Sequence, residues 1–90
     1  MNTLLFTVQD TFWIKHRGLV LATDVKRGQA RLRAGEAIEL RRPDGSTAMT
    51  KVVGIDHTIP YDPERPLAIL LPSDISKEDV PIGTEVWSHE

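Results

Sequence analysis

Apolar and polar residues alternate along most of this chain. Leu4, Phe6, Val8, Phe12 and Ile14 occupy even positions, and Thr3, Thr7, Gln9 and Lys15 stand between them. A period of two predicts a half-buried strand with Phe12 and Ile14 on the core face, which turns Trp13 outward. The stretch LVLATDV, residues 19–25, is apolar and β-branched and predicts a central strand. It begins at the Arg17-Gly18 corner, where glycine admits a positive φ or a close backbone approach, and ends in the turn KRGQ. Ala34-Gly35 makes a second corner. AIELRR alternates again, with Ile38 and Leu40 inward and Glu39 and Arg41 outward. Pro43-Asp44-Gly45-Ser46 is a hairpin turn, because proline fixes φ, aspartate bonds nearby backbone and glycine takes the left-handed position.

The return strand is TAMTKVVGIDH. Residues 60–66 hold three prolines and predict a loop. LAILL, residues 67–71, is a continuous apolar run of buried-strand length. In SDISKEDV, Ser73 or Asp74 is the expected N-cap of one or two helical turns. Pro81-Ile82-Gly83 turns the chain into the last strand, TEVWSH. About six short strands separated by turns predict an all-β chain, a small barrel or sandwich.

Composition narrows the class. The 90 residues are 40% hydrophobic and 27% charged, which predicts a single folded domain over residues 1–90. Cysteine is absent, so disulfides and thiolate chemistry are excluded. No apolar run approaches a membrane span, and MNTLLFTVQD lacks the basic start and small-residue cleavage site of a signal peptide, so a cytoplasmic location is expected. The net charge of −2 divides unevenly: residues 1–51 carry nine Lys/Arg against five Asp/Glu, and residues 52–90 carry two against eight. Such polarity can face an anionic partner or pair one part of the molecule with another.

The stretch VQDTFWIKHRGLVLATDVKRG resembles the start of domain 2 of translational GTPases of the elongation factor Tu type. Asp10, Phe12, Ile14, Arg17-Gly18, Val20, Val25, Arg27 and Gly28 fall in register with that family without a gap. AGEAIEL, VVGIDH and ISKEDVPIGTEVW resemble its later strands, so the likeness spans residues 4–87. The resemblance implies a small closed six-stranded Greek-key β-barrel and a place in translation, in contact with tRNA, rRNA or a translation-associated protein. It also implies a pocket at Gln9, Asp10, Phe12, Arg17, Ala22, Asp56 and Pro66. Ala22 stands where the family has threonine and Pro66 where it has asparagine, which removes a hydroxyl and an amide from the pocket. No G-x-x-x-x-G-K-[ST] loop is present, so the resemblance brings no GTP hydrolysis.

Two further candidates come from the residues themselves. Lys26, Arg27, Arg31, Arg33, Arg41 and Arg42 are expected on neighbouring strands and turns, where they would track phosphates, or form a solvated face paired with Glu36 and Glu39. Trp13 would stack a base or anchor a protein, or else cover a barrel end; Trp87 has the same structural alternative. His16, His57 and His89 lack metal-ligand spacing, and no serine has a nucleophile's context. The expected protein is a non-catalytic binding module with no cofactor and no metal. It binds RNA or ribosomal components, or docks on another polypeptide such as a separately encoded GTPase.

Overall fold

A computed structural model describes residues 2–26, 32–55 and 66–89. Seven antiparallel strands form one sheet: β1 (Leu4–Ile14), β2 (Gly18–Lys26), β3 (Ala37–Arg41), β4 (Thr47–Lys51), β5 (Gly54–Ile55), β6 (Pro66–Leu70) and β7 (Glu85–Ser88). Their order across the sheet is β4-β3-β7-β1-β2-β6-β5. The return strand expected after the Pro43–Ser46 turn is divided into β4 and β5, which gives one strand more than expected. Val52 and Val53 separate the two pieces. The Val52 N–H donates to the Glu36 carbonyl (3.0 Å), while the Val53 N–H donates to the Leu70 carbonyl (2.8 Å). Within two residues the chain leaves β3 and joins β6.

The core is aliphatic. Leu19 and Leu21 of β2, Ile38 and Leu40 of β3, Ile69 of β6 and Val86 of β7 are fully buried. Each comes from an alternating or continuous apolar run, so β2, β3 and β6 follow the sequence pattern. Pro66 opens β6, the strand position at which a missing N–H is tolerated.

β1 departs from its pattern. Val8 pairs with Thr23 but Asp10 pairs with Ala22, so Gln9 is an extra residue, a β-bulge. One inserted residue exchanges the faces of everything after it. Phe6 and Val8 point inward, and then Thr11 does, while Phe12 and Ile14 are 52% and 42% exposed. The expectation of an inward Phe12 and Ile14 is therefore corrected. Unbroken alternation would also have set Asp10 on the core face; the bulge returns its carboxylate to the surface.

The turns obey local chemistry. Gly45 has φ +91° behind Pro43-Asp44, and the Asp44 carboxylate accepts from the Ser46 N–H (2.9 Å) and hydroxyl (2.6 Å). The helical turn after β6 is a single 3-10 turn, Lys77–Asp79, and Ser76 heads it, not Ser73 or Asp74. The Asp79 carboxylate accepts from the Ser76 N–H (2.9 Å) and hydroxyl (3.1 Å), which closes that turn on itself. No helix among the described residues is long and apolar enough to cross a membrane.

Candidate functional site

Two regions hold the residues singled out in the sequence, and the fold treats them differently. The first is the outer face of β1, β2 and β6. Cross-strand pairing sets Asp10 beside Ala22 and Ala22 beside Ala68, then Phe12 beside Val20 and Val20 beside Leu70. Gly54 of β5 lies opposite Leu70 and adds no side chain to that row. The alternate residues Leu19, Leu21 and Ile69 fill the core, so Phe12, Val20, Ala22, Ala68 and Leu70 share the solvent side.

The β1–β2 hairpin supplies the charge. The Ile14 carbonyl accepts from the Arg17 N–H (3.0 Å), and His16 sits at φ +68° in that turn. Lys15, His16 and Arg17 are all exposed. A cleft of ≈ 190 Å³ opens between Ile14, Arg17, Val20 and the Ala68–Leu70 segment of β6. Four positions implied by the family resemblance, Asp10, Phe12, Arg17 and Ala22, thus lie on one surface. Asp56 lies outside the described residues.

Gly18 fixes the geometry of this end. Its φ is +132°, and a Cβ built on it would lie 2.6 Å from the Leu71 carbonyl oxygen. The Leu71 N–H donates to the Leu19 carbonyl (2.8 Å), so the chain leaving β6 lies tight against β2 at this point. The carboxylates of Asp10 and Asp24 accept from backbone, Asp10 from the Thr11 N–H (2.8 Å) and Asp24 from the Thr7 N–H (3.2 Å). Trp13 pairs with Leu19 and so lies on the core-side face, contrary to the outward orientation expected for it, yet it stays 50% exposed.

The second region is the expected basic stripe, and the sheet order separates Lys26 of β2 from Arg41 of β3. β2 and β3 are not neighbours, because β7 and β1 lie between them. Between Arg41 of β3 and the Lys26 end of β2 stand Glu85 of β7, paired with Arg41 and Thr7, and Asp24, bonded to Thr7. Arg41 forms a salt bridge with Glu39, and its guanidinium lies 4.1 Å from the centre of the Trp87 ring. The Trp87 indole N–H donates to Glu85 Oε1 (3.0 Å). Arg42 donates from Nε to the Asp79 carbonyl (2.6 Å) and from Nη1 to Ser46 Oγ (3.2 Å), tying the β3–β4 turn to the 3-10 turn. Arg33 is exposed in the turn before β3. Arg27 and Arg31 lie outside the described residues.

Electrostatics outside the cleft is local. The Ser46 hydroxyl and then its N–H hold the Asp44 carboxyl below its usual value. The Ser76 N–H and then its hydroxyl, with a smaller contribution from Arg42, do the same for Asp79. Sequence reasoning missed the exposed Phe12–Ile14 surface and the Arg41–Trp87 stack. The adjacent polar pair Gln9-Asp10, interrupting an apolar alternation, was the available signal for the first. The second depends on β7 joining β3, which no local pattern encodes. No protein-family model matches the chain, and no curated protein or solved structure is significantly similar to it.

Proposed function

We propose that this chain is a non-catalytic, cytoplasmic binding module of the translation-factor domain 2 type, and that it binds RNA of the translation machinery through the β1–β2 hairpin and the outer face behind it. In this reading residues 47–55 act as one bent strand that closes the sheet into a barrel. The observation that carries the proposal is the shared surface of Asp10, Phe12, Arg17 and Ala22, with a half-exposed aromatic ring beside a cationic turn. Unpaired bases stack on aromatic side chains while cations meet the phosphates, and both groups stand ready at this hairpin. Arg41 and Arg42 fit the role less well than expected, since both are engaged within the fold.

A second reading rests on the apolar character of the cleft, where Ile14, Val20, Ala68 and Leu70 would accept an apolar side chain of a partner protein. Salt separates the two. Fluorescence anisotropy of labelled bulk tRNA, titrated with the protein at two salt concentrations, should give binding that weakens steeply with salt. Phe12→Ala and Arg17→Ala should each weaken it, and Arg41→Ala should change it little. Absence of binding at low salt would sink the RNA reading and direct attention to a protein partner.

A further inference from the structure

The open side of β4 carries an inference independent of the RNA-binding face. The hydrogen bonds from Arg42 to Ser46 and from Val52 to Glu36 fix the phase of the β3–β4 ladder. Ala48 and Thr50 therefore direct their N–H and C=O groups at β3, and Thr47, Met49 and Lys51 direct theirs the other way. On that other side Val53 bonds to Leu70, but β6 goes no further: Leu71 bonds to Leu19, and Pro72 has no N–H to offer. Among the described residues no strand pairs with the outer side of β4. Met49 is 50% exposed there. A groove of ≈ 430 Å³ runs along Met49–Lys51, walled by Pro72, Asp74 and Ile75.

An unpaired edge without proline or bulge is a template for another strand. We propose that a second copy of this chain occupies it, the two β4 strands pairing antiparallel about a two-fold axis through Met49. The sequence TAMTK is self-complementary in that register. Met49 meets Met49 of the other copy, and Thr47 meets Lys51 on either side, so no like charges oppose each other. The contact is isologous and closes after two copies. The β3–β4 turn of each copy then lies against the Pro72–Ile75 wall of the other.

Sedimentation equilibrium on the purified chain, from micromolar to about millimolar, tests this. A monomer–dimer equilibrium is expected. Thr47→Lys puts lysine opposite Lys51 at two symmetric places and should weaken the dimer roughly two- to thirtyfold, and Thr47→Glu should tighten it by a similar factor. Thr47 is exposed and lies opposite Arg41 of β3, so the far-ultraviolet spectrum of each variant checks that the fold is kept. Met49→Pro removes an outward N–H at an edge position that tolerates proline, and it should abolish the dimer while preserving the far-ultraviolet spectrum. A chain that stays monomeric through the range overturns the proposal. So does a dimer indifferent to both Thr47 substitutions, since it would use another face.

Discussion

At the scale of single residues, Gly18 has the least freedom. Glycine is required there twice over, by a φ of +132° and by the Leu71 carbonyl that a Cβ would meet at 2.6 Å. The obstacle is backbone, held by the bond from Leu71 to Leu19, so it has no rotamer through which to yield. Gly18→Ala should lose at least about 1–3 kcal/mol of folding stability from backbone strain, with the steric contact added. Urea denaturation measures it, and a loss under about 0.5 kcal/mol would contradict the geometry. Much of this was legible beforehand, because a glycine between a turn and an apolar strand admits few explanations. The orientation of Phe12 and Ile14 was not legible, because their side depends on whether Gln9 is counted in the ladder. That count is settled by pairing between β1 and β2, a relation between distant residues. Asp10 was the warning, an ionisable group on what would have been the core face.

At the scale of elements, the two short turns held by aspartate set an acid response. The carboxyls of Asp44 and Asp79 are both depressed below the ordinary value of 3.8 in the folded chain by the hydrogen bonds of their turns. A carboxylate with a lowered folded pKa contributes stability that is fully present above its unfolded pKa and is lost as pH falls through the folded one. The stabilisation should therefore be level above about pH 4 to 5 and decline below 3.8. The double variant Asp44→Asn/Asp79→Asn should show a shallower fall of its urea midpoint below pH 4 than the parent, and little difference in slope at neutral pH. Identical acid slopes would mean that these turns are already formed in the unfolded chain, or that other carboxylates govern the response. The Pro43–Ser46 turn was readable because Pro43, Asp44 and Gly45 each have one local job. The 3-10 turn was read two or three residues too early, since Ser73, Asp74 and Ser76 are equally good caps in isolation and only the reach of Asp79 back to Ser76 chooses among them. The described members of the basic stripe are divided for a similar reason. Strands β2 and β3 follow each other in sequence, but β7 and β1 are inserted between them in space, and Arg41 found its partners on β3 and β7.

At the scale of the whole molecule, the proposed barrel closure and the proposed dimer meet on one strand. Residues 47–55 change partners at Val52-Val53, and closure depends on the bond from Val53 to Leu70 persisting in solution. Backbone groups on the same side two and four residues earlier, those of Lys51 and Met49, have no strand beside them among the described residues. Amide hydrogen exchange separates these cases, because protection follows the free energy needed to break each bond. In solution dilute enough to keep the chain monomeric, the N–H groups of Val52 and Val53 should exchange slowly, as should that of Leu71. Those of Met49 and Lys51 should exchange near the rate of an unstructured peptide despite lying inside a strand. Raising the concentration should slow Met49 and Lys51 selectively if a second copy pairs there, and leave Val53 unchanged. Fast exchange at Val53 in the monomer would mean an open sheet, with β5 detached from β6, and the barrel reading would fall. The RNA-binding reading would then need its own support, because the outer face of β1, β2 and β6 does not require closure to exist.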